Sequence, residues 1–162
     1  YPFLDACIYH LRRYGWINFR MRAMIMSFAS YNLWQPWQRT SPLLAELFVD
    51  YEPGIHISQV QMQSGVTGIN LPRIYSVIKQ SRDQDPEANF TRRELPELSD
   101  ESNDNIHNAT LDVDYPNKIV DLRSSSVNAR DKIWGIRKSD QFKKIAKEVY
   151  IKHGSRMKRN RR

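Results

Sequence analysis

The chain has 162 residues with 40% hydrophobic composition, enough for one domain with a real core. A single cysteine, Cys7, excludes an intramolecular disulfide and any cysteine-held metal or iron–sulfur centre within the segment, and no apolar run approaches the ~18 residues of a membrane span. The net charge of +7 sits in the C-terminal part: residues 1–117 hold 10 Lys and Arg against 14 Asp and Glu, and residues 118–162 hold 15 against 4.

The elements read as helices almost throughout. A helix over 3–13 carries Leu4, Ile8 and Leu11 on one face and stops at Gly15. A helix over 18–32 is apolar on nearly every face, which places it in the middle of a domain. It nevertheless carries Arg20 and Arg22, and arginines buried there would need partners. Ser41-Pro42 predicts a helix start, running to about residue 49, with proline at the first helical position. Short helices follow over 55–65 and 72–80. Residues 83–114, with Pro86, Pro96 and an acidic run at 100–104, read mostly as loop. Amphipathic helices are expected over 122–137 and 140–153. No strand pattern and no repeat stands out, so the predicted fold is an all-α helical cluster. Residues 1–154 form the expected domain. Residues 155–162 form a basic tail expected to be disordered, either a solvated terminus or a site of nonspecific attraction to phosphate. Cys7 reads as a buried small hydrophobe.

The densest run of hydrogen-bonding groups is at 50–68. Asp50 and Glu52 precede a Pro53-Gly54 turn, then His56, then the amides Gln59, Gln61 and Gln63, ending in Gly65 and Gly68. So many amides beside so few charges suggest a wall around a polar, planar ligand. The plainer alternative for Asp50 and Glu52 is a pair of solvated acids. For His56 it is a structural residue capping a helix start.

Six blocks in order resemble the cryptochrome/DNA photolyase family. Trp16-Ile17-Asn18-Phe19-Arg20-Met21-Arg22 is similar to Trp-x-x-Asn-Arg-x-Arg, and Pro36-Trp37-Gln38-Arg39 to the Asp-Trp-Arg block. Asp50-Tyr51-Glu52 with His56 is similar to Asp-x-Asp-x-x-x-Asn, and Arg73-Ile74-Tyr75-Ser76-Val77 to Arg-Ile-Phe-Asn-Pro. Phe90-Thr91-Arg92-Arg93-Glu94-Leu95-Pro96-Glu97-Leu98 and Tyr115-Pro116-Asn117-Lys118-Ile119-Val120-Asp121 complete the order. The chain begins at Tyr1 and reads as the C-terminal portion of a longer protein, with its N-terminal remainder as an intramolecular partner.

The resemblance implies the helical FAD-binding domain of a light-driven enzyme that injects an electron from reduced flavin into a pyrimidine dimer in DNA, or of a cryptochrome-like blue-light photoreceptor. It implies FAD in the intact protein, held weakly or not at all by residues 1–162 alone, because the family's pyrophosphate-binding loop precedes the matched region. An intracellular location follows, cytoplasmic in a bacterium; the residues identify neither an antenna pigment nor a signalling partner. Trp16 matches a flavin-adjacent tryptophan lying too deep to stack on DNA. Arg22 matches the arginine beside the flavin ring and Asp50 its expected partner in a buried ion pair. Glu52 stands where the family has a second Asp, and His56 where it has the residue facing the flavin N5 edge. An imidazole there could change charge near neutrality. Trp37 matches the middle tryptophan of the electron relay, but Val60 aligns with the flavin-proximal one and cannot be oxidised in its place. Met62 aligns with a tryptophan that stacks on the dimer, while Arg20, Arg73 and Lys79 match or neighbour phosphate-touching positions. Glu94, Phe19 and Ala23 also depart from the pattern. Losing an aromatic clamp worth ~1–3 kcal/mol per base weakens binding of a flipped dimer.

Overall fold

The computed structural model describes residues 1–67 and 71–153. Gly68 and the basic tail at 155–162 lie outside the described residues. Every regular element among the described residues is helical, as the sequence pattern predicts.

Helix α1 (Pro2–Tyr14) ends at Gly15, whose φ of 70° is left-handed. A Cβ at that position would stand 2.3 Å from Val49 Cγ1, so the stop needs glycine for space as well as for backbone. Helix α2 (Phe19–Ser27) is capped by Asn18, whose side chain accepts from the Met21 N–H at 3.0 Å. The helix expected to run to residue 32 then widens into a π-helical turn, Phe28–Asn32. Wider winding turns the phase of the residues after it and brings Asn32 against α8 (Leu122–Lys138), where its side chain donates to Ser125 Oγ at 2.8 Å and Ser126 Oγ at 3.1 Å.

Two predicted boundaries are corrected. Helix α3 is Trp37–Ala45, begun by Pro36 rather than Pro42. Pro36 has φ −66° and ψ 136°, which sets the chain for helix entry, and Pro42 sits inside the helix, where it withholds one backbone N–H. Helix α4 is Pro53–Gln63. Helix α5 is Val77–Gln84, not 72–80, because Ser76 supplies the cap that accepts from the Lys79 N–H at 3.2 Å.

A third correction concerns 83–114, which is more ordered than a loop. It contains α6 (Asn89–Glu94), a 3₁₀ turn Pro96–Leu98 and α7 (Asn103–Asn108). Side chains that looked like loop polarity organise it. The buried Asp85 accepts from the Phe90 N–H, the Thr91 N–H and the Thr91 hydroxyl. Glu101 accepts from the N–H groups of Asp112 and Val113. The hydrogen bond from Asn105, the first of several contacts, holds the Glu101 carboxyl below the usual carboxylate range. Ser81 and His107, both buried, tie α5 to α7 at 2.7 Å.

The main core gathers Phe3, Leu11, Ile17, Met24, Phe28, Phe48 and Val60 from α1, α2 and the segments around α3 and α4. A smaller cluster joins Ala6 of α1 to Ala88, Leu95, Leu98 and Ile106. Cys7 is fully buried, and burial pushes its thiol up, which keeps it protonated and inert. Helix α9 (Asp140–His153) packs along α8 and has no buried residue.

Candidate functional site

A cleft of about 340 Å³ opens between the N-terminal end of α2, the α3–α4 connection and the exposed face of α4. Such a volume is at the lower end for a small-molecule site. Five of the residues singled out by sequence line it together: Trp16, Arg22, Asp50, Glu52 and His56.

Arg22 is fixed by three contacts. Its Nε donates to the Ile17 carbonyl at 2.8 Å, a terminal nitrogen donates to Asp50 Oδ2 at 2.9 Å, and the guanidinium lies 4.2 Å over the Phe48 ring. The pair with Asp50 therefore exists, but it is not buried as expected: the aspartate side chain keeps 47% of its exposure. The reason is position, since Asp50 follows the turn that closes the α3 segment and stands at the cleft rim. The Arg22 hydrogen bond holds the Asp50 carboxyl below its ordinary range.

Glu52 is the N-cap of α4, its Oε2 accepting from the Ile55 N–H. It does the capping that the plainer reading gave to His56. His56 instead reaches across to α3, with Nε2 at 3.0 Å from Ser41 Oγ and 3.1 Å from the Ser41 carbonyl. Its ring meets Phe48 and Tyr51 edge to face.

Trp16 is half exposed rather than deep, because Gly15 turns the chain outward just before it. Val60 is buried and lines the cleft, where the resemblance would have the proximal tryptophan. Trp37 lies outside the cleft, packed against the main core. Arg20 and Arg73 are exposed, Met62 is half buried, and Lys79 forms an exposed pair with Asp83 at 2.8 Å. None of these lines the cleft.

Sequence reasoning missed Phe48, Ile55 and Ser41. No local signal marked the first two, and Ser41 read only as a helix start. Gln59, one of the amide run, lines the cleft with its Oε1 buried and without a hydrogen-bond partner among the described residues. A buried acceptor of this kind calls for a donor, and a ring N–H of a planar heterocycle supplies one. Apolar walls from Ile17, Phe19 and Val60 beside the donors of Arg22 suit the same ligand, so the residues present fit a flavin ring.

Truncating the Arg22–Asp50 pair has unequal consequences. Asp50→Asn should change stability by less than ~1 kcal/mol, as for other exposed pairs. Arg22→Ala loses the Ile17 and Phe48 contacts as well and should cost ~1–2 kcal/mol. Because the Asp50 carboxyl is lowered in the fold, the pair's contribution is present above the unfolded carboxylate range and lost as pH falls through the folded value. Thermal melts of the wild type and Asp50→Asn should therefore converge in acid; a gap that persists there rules out the pair as its source.

Comparison with known proteins adds an independent line. The profile of the FAD binding domain of DNA photolyase matches residues 1–135. A deoxyribodipyrimidine photo-lyase of Buchnera aphidicola subsp. Baizongia pistaciae is 33% identical over 121 residues, covering 74% of this chain and 25% of that protein. A cryptochrome DASH of Synechocystis sp. is 30% identical over 147 residues, covering 82% and 30%. Among solved structures, an archaeal photolyase from Sulfolobus tokodaii, described with two FAD molecules, superposes with a TM-score of 0.78 at 28% identity, covering 83% of this chain and 32% of that one. The chain thus spans about a quarter to a third of the length of these relatives.

Proposed function

This chain belongs to the family of the FAD binding domain of DNA photolyase, and from that premise we propose that its cleft is the ring-facing part of a flavin site in a photolyase-related repair protein. One observation carries the reading. Trp16, Arg22, Asp50, Glu52 and His56, drawn from separate parts of the chain, converge on a single cleft that also holds the Gln59 acceptor, which has no partner among the described residues.

Bound FAD, excited by blue light, would supply the electron that splits a pyrimidine dimer. The chain's own residues bind and orient. Arg22 offers a guanidinium fixed in direction by Ile17 and Asp50, which favours negative charge on a ligand. Gln59 Oε1 receives a ring N–H. Phe19, Val60 and Ile17 exclude water from the ligand's apolar edge. Glu52 acts through the backbone, by holding the first turn of α4 and thereby the height of His56. Arg20, Arg73 and Lys79, all exposed, would touch DNA phosphates and fix register without reading sequence. Met62 would face the lesion with less stacking surface than an aromatic.

A second reading is a cryptochrome-like photoreceptor, and Val60 and Met62 favour it. A valine beside the ring cannot pass an electron as a tryptophan does, and Trp37 packs away from the cleft. Blue-light repair of dimer-containing DNA by the intact protein separates the two: repair is expected for the first, and flavin photoreduction without repair supports the second. An absorption spectrum lacking flavin bands removes both.

Flavin retention also tests the arginine. Arg22→Ala in the intact protein should lower flavin affinity about tenfold, the equivalent of one charge-assisted hydrogen bond of ~1.4 kcal/mol. Equilibrium dialysis showing unchanged affinity would take Arg22 out of the site.

A further inference from the structure

The cleft offers one polar atom whose chemistry is decided by a residue outside it. His56 Nε2 lies 3.1 Å from the Ser41 carbonyl and 3.0 Å from the Ser41 hydroxyl. A backbone carbonyl can only accept, so in the neutral ring the proton of that contact must be on Nε2. The hydroxyl oxygen is placed to share the same N–H. Ser41 is 3% exposed, so little water competes for it. Phe48 and Tyr51, with ring centroids 5.9 and 5.3 Å from the imidazole, flank the ring edge to face and oppose its flipping. Nδ1 has no hydrogen-bond partner among the described residues, and His56 lines the cleft.

We propose that Ser41 is a positioning residue: through its carbonyl and hydroxyl it locks His56 in the Nε2–H form and leaves Nδ1 as a lone-pair acceptor for an N–H group of the cleft's ligand. The carbonyl or carboxylate that orients a functional imidazole usually sits beside it in the same way. This assignment rests on the flavin reading for the identity of the ligand, but not for the state of the ring. Neither the resemblance nor the amide-rich pattern contains it, because Ser41 and His56 belong to different helices and only the α3–α4 packing joins them.

The ring state is read without any flavin. Nitrogen-15 spectra of the histidine side chains of the intact apo protein, at alkaline pH where imidazoles are neutral, should show His56 with a proton-bearing Nε2 and a bare, pyridine-type Nδ1. A proton on Nδ1 overturns the proposal. Ser41→Ala keeps the carbonyl and removes the hydroxyl, so the Nε2–H share should fall without vanishing; an unchanged share overturns the hydroxyl's part. Two further variants separate the ring's two ends. His56→Gln places its amide near the Nε2 position and loses the Nδ1 acceptor; it should keep the melting temperature and shift the midpoint potential of bound flavin. His56→Asn places its amide near Nδ1 and loses the Ser41 contact; it should lower the melting temperature and leave the potential closer to the wild type. The reverse pattern, or potentials that do not differ, overturns the role of Nδ1. If the wild type holds no flavin, the flavin reading fails, and the nitrogen-15 spectra still decide what Ser41 does.

Discussion

Asp85→Ala is expected to lose ~3–5 kcal/mol of folding stability, the largest effect of any single polar substitution in this domain. The carboxylate is buried and receives three hydrogen bonds, from the Phe90 N–H at 2.9 Å and from the Thr91 N–H and hydroxyl at 2.8 Å each. Thr91 is fully buried, so its groups cannot turn to water when the acceptor goes. Each buried donor left without a partner costs ~1–3 kcal/mol. The loss is a large share of the ~5–15 kcal/mol that holds a typical domain together. Asp85→Asn retains one acceptor oxygen and should lose about half as much. Urea unfolding of the intact protein measures both, and a loss below ~1 kcal/mol for the alanine variant would mean that 85–115 is ordered by something else.

Gly65→Ala should cost ~2–4 kcal/mol. Gly65 has φ 71°, where an L-residue is penalised by ~1–2 kcal/mol, and its Cβ would fall 2.4 Å from Tyr31 Oη and 3.3 Å from Pro72. Tyr31 is 2% exposed and cannot swing aside. Its hydroxyl has no hydrogen-bond partner among the described residues, and burial pushes it up to about 12, so it stays protonated. Removing that hydroxyl should therefore be neutral or stabilising by ~1 kcal/mol, and Tyr31→Phe should recover part of the Gly65→Ala loss. Thermal melts of the two single variants and the double variant form a cycle. Additive effects would show that the clash with Tyr31 is not the cause.

These two sites show which kinds of order the sequence made legible. Helices α1, α8 and α9 were readable because an apolar stripe and a stop residue such as Gly15 are local signals. The all-helical fold and its family were readable from six blocks of residues in order. Residues 83–114 were not, because their order comes from Asp85 and Glu101 reaching past several residues to backbone N–H groups, and that composition is also what a loop has. The start of α3 was misplaced because two prolines, Pro36 and Pro42, compete for the same signal and only packing chooses between them. In the cleft, the resemblance singled out Trp16, Arg22, Asp50, Glu52 and His56, and all five do line it. It did not tell that Glu52 caps α4, that Asp50 lies at the rim, or that His56 leans on Ser41. Each of those depends on how one helix sits against another.

Helix α1 contributes Phe3, Cys7 and Leu11 to the core behind the cleft and Ala6 to the cluster of α6 and α7. Its Asp5 also accepts from the Tyr115 hydroxyl at 2.8 Å. One short helix is thus a party wall, and neither chamber can open while it stands. Melting across these two chambers is therefore expected as a single cooperative event, so damage at Asp85, on the far side of the wall, should reach the cleft as a lower population of folded molecules and not as a change in its shape. Helix α9, with no buried residue, is outside that wall and can fray on its own.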